Sequence, residues 1–140
     1  AAAVLLMSAA AAAARGVKPL ARVVAQASHA QAPEWFTTAP VGAIRTVLER
    51  AGWKANDVDL FEVNEAFAAV AMAAMHDIGI DHARLNVNGG ACALGHPVGA
   101  TGARIVATLL HALRARGGRR GVASLCIGGG EATAIAVELL

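Results

Sequence analysis

The segment spanning residues 86–104, NVNGGACALGHPVGATGAR, places glycine at positions 89, 90, 95, 99 and 102 around a single histidine, His96. Glycine is used where a backbone takes positive φ or approaches another group closely, so five glycines in fourteen positions describe a tightly folded loop feeding a helix. Pro97 follows His96 and fixes the backbone at the turn. An imidazole held in this way can act as a general base or donate to an oxyanion. A satisfied structural histidine in a turn accounts for an isolated GHP tripeptide equally well, so the rest of the chain has to decide.

Around this loop the chain is unusually apolar. Hydrophobic residues make up 56% of its 140 positions and charged residues 16%, and the mean hydropathy is +0.53. Membrane insertion and a large buried interface are the two explanations for such a composition. Arg, Glu, His or Gly interrupts every apolar run before about 18 residues, which disfavours a spanning helix and leaves an interface. The opening AAAVLLMSAAAAAARG has no basic residue ahead of its apolar run, so it reads as a strand and an alanine-rich helix rather than a signal peptide. With no initiator methionine, it also reads as part of a longer polypeptide. Cys92 and Cys126 are too few for a disulfide framework and fit a reducing compartment, so a cytoplasmic location is expected. A net charge of +2 gives no reason to expect nucleic acid as a partner. The arginines at 114, 116, 119 and 120 read as a solvated helix end.

Taken in order, residues 1–8 read as a buried strand, 9–15 as a helix stopped by Gly16, and 22–29 as a second strand. A loop, APEWFTTAP, holds Trp35 and Phe36, which either cap a core edge or wall a pocket. Helical spacing of Val41, Ile44, Val47, Leu48 and Ala51 predicts a helix from Pro40 to Ala51. Residues 59–64 form a strand, and a helix is expected at once from Glu65. Another helix covers about 101–115, and strands follow at 121–127 and 132–139. Both of these last helices are apolar on nearly all faces, as helices buried on two sides are. The order describes a three-layer α/β domain with a five-stranded mixed sheet and helices on both faces.

Three chemically capable residues occupy equivalent places in this scheme. Asn64 ends a strand, where open α/β sheets bind ligands, although a helix cap explains it as well. His96 sits in the glycine loop. Cys126 ends a strand before Gly128, Gly129 and Gly130, whose N–H groups can approach a reacting carbonyl oxygen. A thiol near an imidazole can also exchange protons with it. Cys92, between two alanines, reads as packing. No lysine follows the glycines and no GxGxxG follows a strand, which argues against a phosphate-binding loop. No HExxH or CxxC spacing points to a metal.

These residues carry a resemblance. NEAFA at 64–68, NGGACALGHPVGATGAR at 88–104 and CIGGGEATA at 126–134 resemble, in order, the three carboxyl-terminal signatures of the thiolases, the acyl-CoA C-acyltransferases. KPLARV and ERAGW extend the likeness over almost the whole chain. The resemblance implies that residues 1–140 are a thiolase carboxyl-terminal domain, with the amino-terminal domain that bears the nucleophilic cysteine absent. By this resemblance His96 activates that nucleophile and Asn64 holds a water in the same oxyanion hole. Cys126 is the acid/base at the α-carbon, and Gly128 gives an N–H to a second oxyanion hole. Phe67, Ala66 and Phe36 line the pantetheine or acyl channel. Coenzyme A thioesters are implied as substrates, with no further cofactor, no metal and no membrane, and a homo-oligomer as the assembly. Acetyl-CoA C-acetyltransferase chemistry is the expected activity, absent from this chain alone. The alternative is a non-catalytic acyl-CoA or lipid binding module of the same fold.

Overall fold

A computed structural model describes all residues 1–140. Four strands form one sheet: β1 (Ala21–Ala30), β2 (Leu60–Val63), β3 (Arg120–Ile127) and β4 (Glu131–Leu139), in the order β1-β4-β3-β2. The pairs β1–β4 and β3–β4 are antiparallel, whereas β2 runs parallel to β3. The sheet is therefore mixed, as expected, but four-stranded rather than five-stranded.

The missing strand is the one expected at residues 1–8. These residues form no regular element and join no ladder, and they leave Leu5 82% and Leu6 72% exposed. Strand propensity is realised only where a neighbour satisfies the backbone N–H and C=O groups, and no strand of these 140 residues pairs here. The short helix α1 (Ala9–Ala14) does form. The Ser8 hydroxyl accepts from the Ala11 N–H at its start, and Gly16 follows at φ +64°.

Alternation along the strands separates two cores. Ala132, Ala134 and Ala136 of β4, Val122 and Cys126 of β3, and Phe61 and Val63 of β2 face α2 (Ala39–Ala51) and α3 (Ala68–Ile78). Val137, Ala123 and Leu60 face α5 (Thr101–Arg116), meeting its Ile105, Leu109, Ala112 and Leu113. Helices thus cover both faces. Neither α3 nor α5 is enclosed on every side, however. Met72 of α3 is 65% exposed, and the outer face of α5 borders an apolar groove of about 850 Å³ shared with the amino-terminal segment. No helix is long and apolar enough to cross a membrane.

The register sets one working edge. Val63 pairs with Ser124, Ile127 with Glu131, and Ala30 with Glu131, so the ends of β1, β2 and β3 and the start of β4 lie side by side. The β3–β4 turn at this edge ends on Gly130, at φ +97°, where an added Cβ would run into the Gln31 carbonyl oxygen. At Gly128 an added Cβ would meet nothing within 4 Å. We therefore expect Gly130→Ala to destabilise the fold by roughly 2 kcal/mol or more and Gly128→Ala by less than about 1 kcal/mol. Denaturant midpoints of the two variants check this.

Candidate active site

β2 presents two faces, and residues 60, 62 and 64 share the α5 side. Beyond its last residue the Asn64 N–H donates to the Ser124 carbonyl at 2.9 Å, carrying the parallel pairing one step further. Asn64 is 1% exposed and does not cap α3, whose N-cap is Phe67. The helix expected from Glu65 starts three residues later, at Ala68. Glu65 is drawn off to another task, because its carboxylate accepts from the Cys92 N–H at 3.0 Å and from Asn86 Nδ2 at 3.3 Å. The carboxylate lies against Gly90, where a Cβ would collide with it.

Asn86 completes this junction. It is the one non-glycine residue at positive φ, +47°, a region that asparagine tolerates. Its Oδ1 accepts from the Val63 N–H and its Nδ2 donates to the Val63 carbonyl, both at 2.9 Å. The side-chain amide thus pairs with the end of β2 as a neighbouring strand would.

From this anchor the glycine loop passes through α4 (Ala91–Leu94) and Gly95, at φ +90°, to His96. His96 Nε2 lies 3.4 Å from Asn64 Nδ2, and its Nδ1 lies 2.7 Å from Thr101 Oγ1. His96 is exposed while both its partners are buried. Asn64 and His96, 32 residues apart in the chain, are therefore joined directly.

Cys126 stands on the adjacent strand at the same edge, 8% exposed, and packs on the α2 and α3 side. Burial pushes its thiol up from the ordinary range. A thiolate formed there is a stronger base than one in water. Gly128 lies exposed in the turn that follows. Across the edge, Phe36 in the 3₁₀ turn Pro33–Thr38 meets Phe67 edge-on, with ring centroids 6.1 Å apart at 68°. Ala66 is half-buried against the core, and Trp35 is 61% exposed. Cys92 is exposed rather than packed, and the Glu65 carboxylate beside it raises its thiol.

Beneath Asn64 lies a charged pair that composition conceals. Glu62, 2% exposed, has Oε2 3.7 Å from Arg104 Nη1, and its Oε1 has no hydrogen-bond partner. Desolvation raises Glu62 to about 7, the Arg104 guanidinium opposing and Glu65 adding to the rise. The sequence did carry signals for these residues. Glu62 is a charge inside the apolar strand LFEV, Thr101 follows His96 by five positions, and Arg104 lies one turn beyond Thr101.

A carboxyl raised on folding favours the folded state fully below its unfolded value near 4.5, and that contribution is lost as pH rises through about 7. At about 1.4 kcal/mol per pH unit of separation, the loss is roughly 3 kcal/mol. Glu62→Gln should abolish this part of the pH dependence, read as stability measured by denaturant unfolding of both proteins between pH 4.5 and 8.

Comparison with known proteins adds to this geometry. Residues 17–139 match the family model described as Thiolase, C-terminal domain. The acetyl-CoA acetyltransferase of Shinella zoogloeoides is 54% identical over 140 residues, all of this chain and 36% of that protein. The cytosolic acetyl-CoA acetyltransferase of Mus musculus is 50% identical over 138 residues, 99% of this chain and 35% of that protein. In the crystal structure of the Bacillus anthracis acetyl-CoA acetyltransferase, a region 44% identical superposes with a TM-score of 0.92 over 96% of this chain and 34% of that one. The human mitochondrial 3-ketoacyl-CoA thiolase gives 0.92 and 44% over 95% and 34%. The chain spans about a third of the length of the curated relatives it matches.

Proposed function

Since this chain belongs to the thiolase family, as its carboxyl-terminal domain, we propose that it supplies the acid/base half of an acyl-CoA C-acyltransferase site. The nucleophilic cysteine comes from an amino-terminal domain. The observation that carries the reading is the contact between Asn64 Nδ2 and His96 Nε2, made at the sheet edge where Cys126 stands one residue before the end of the neighbouring strand.

In the condensing direction, His96 takes the proton of the nucleophilic thiol. The thiolate attacks the thioester carbon of acetyl-CoA, and coenzyme A leaves as its thiol, which makes an acetyl-enzyme. Asn64 and the protonated His96 donate to the thioester oxygen, Asn64 through a water, where negative charge develops. His96, neutral again once coenzyme A has left with its proton, accepts the proton of Cys126 and returns it to the nucleophile when that is regenerated. The Cys126 thiolate removes an α-proton from a second acetyl-CoA, and Gly128 donates its N–H to the enolate oxygen. The carbanion attacks the acetyl-enzyme, giving acetoacetyl-CoA and regenerating the nucleophile. Thiolysis is the reverse. The raised thiol of Cys126 suits this task, because its thiolate is a strong base once the substrate enters and excludes water. Phe36, Phe67 and Ala66 wall the channel, where Phe36 and Phe67 meet edge-on, and Trp35 with Phe36 narrows it in favour of short acyl groups. The assembly is a homo-oligomer acting in the cytoplasm.

The test compares the polypeptide as its gene encodes it with residues 1–140 alone, in acetoacetyl-CoA thiolysis. We expect turnover from the former and none from the latter. In the encoded polypeptide, Cys126→Ala should lower condensation at least about a hundredfold while leaving acetyl-enzyme formation from acetyl-CoA, and His96→Ala should lower both. Binding of acyl-CoA without turnover by the encoded polypeptide would replace this reading with the non-catalytic module.

A further inference from the structure

Thr101 is fully buried, and the acyl-transfer scheme leaves it without a part. Its Oγ1 lies 2.7 Å from His96 Nδ1 and donates to the Pro97 carbonyl at 3.2 Å. A hydroxyl has one proton to give and two lone pairs with which to accept. The carbonyl of Pro97 has no proton, so that bond uses the only one Thr101 owns. A lone pair therefore faces His96, and Nδ1 must carry the N–H. In a neutral imidazole the other nitrogen is then bare. That nitrogen, Nε2, is the one facing the amide donor of Asn64.

All three bonds run in one direction, from Asn64 to Nε2, from Nδ1 to Thr101, and from Thr101 to Pro97. The Thr101 end also survives protonation, since an imidazolium still donates from Nδ1, whereas the bond from Asn64 Nδ2 is given up because Nε2 then donates as well. The backbone closes the same ring, since the Thr101 N–H donates to the Pro97 carbonyl at 3.1 Å in the first turn of the sixteen-residue α5.

We propose that Thr101 is the positioning residue that sets the tautomer of His96, holding the proton on Nδ1 so that the Nε2 lone pair is presented to the site. The inference rests on the reading of His96 as the base, but it can be observed without turnover. The experiment labels histidine with 15N in the polypeptide as its gene encodes it. His96 is assigned by the signals lost in His96→Ala, and the protonated ring nitrogen is read from long-range 1H–15N correlations. Wild type and Thr101→Ser should both show the neutral ring protonated at Nδ1. Thr101→Val, which keeps the shape and removes the hydroxyl, should lose that pattern. It should turn over roughly a hundredfold more slowly with KM changed by less than about twofold, while Thr101→Ser stays within about threefold of wild type. A purely structural threonine would slow the enzyme without moving the proton. A wild-type ring protonated at Nε2, or a Thr101→Val ring still protonated at Nδ1, overturns the inference. Full turnover by His96→Ala would sink the base reading instead, since the tautomer is read from the ring itself.

Discussion

Parallel pairing of β2 with β3 is the constraint on which the site depends. Two parallel neighbours end at the same edge, and the chain must cross over before it can return, which here takes residues 64–119. That crossover brings α3 to one face and α5 to the other, and it holds the glycine loop between them. Because β2 has only four residues and no strand on its outer side, its end is held by proxies: the Leu85 bridge to Phe61 and the Asn86 amide clasping Val63. Asn64 is placed by this clasp. His96 is placed by the loop that begins with it.

Glu65 and Thr101 grip that loop from its two sides. Glu65 holds the backbone of α4 from the β2 side, and Thr101 holds the imidazole from the α5 side. An exposed histidine in a glycine-rich turn would otherwise sample many orientations, with the conformational entropy that such freedom carries. Charge is also stored below the site. Glu62 and Arg104 lose hydration on burial and recover only part of it through a 3.7 Å contact. Such a pair costs stability, and its Glu62 stands two residues before Asn64, on β2.

Most of the architecture was legible in the chain, because it rests on periodicities that backbone geometry imposes. Helical spacing marked α2 and α5, and alternation marked β4. Residues 1–8 misled because an apolar run reports a preference for extended backbone, whereas a strand also needs a partner for its hydrogen bonds. The start of α3 misled for a related reason. Glu65 has every local qualification for a first turn, but its carboxylate is engaged by Cys92 and Asn86, which lie more than twenty residues away.

What the sequence marked by itself was a set of candidate groups. Asn64, His96 and Cys126 are marked by the glycines, the proline and the strand ends that surround them, and these are local properties of the chain. What only the tertiary structure decided was which of these groups meet and in which state. Asn64 touches His96 because β2 and the glycine loop are clasped together, and Cys126 is raised because β3 runs through the middle of the sheet under α2. The protonation of a buried thiol or carboxyl and the orientation of an imidazole depend on desolvation and on hydrogen bonds from residues distant in the chain. Those exist only once the fold has closed around them.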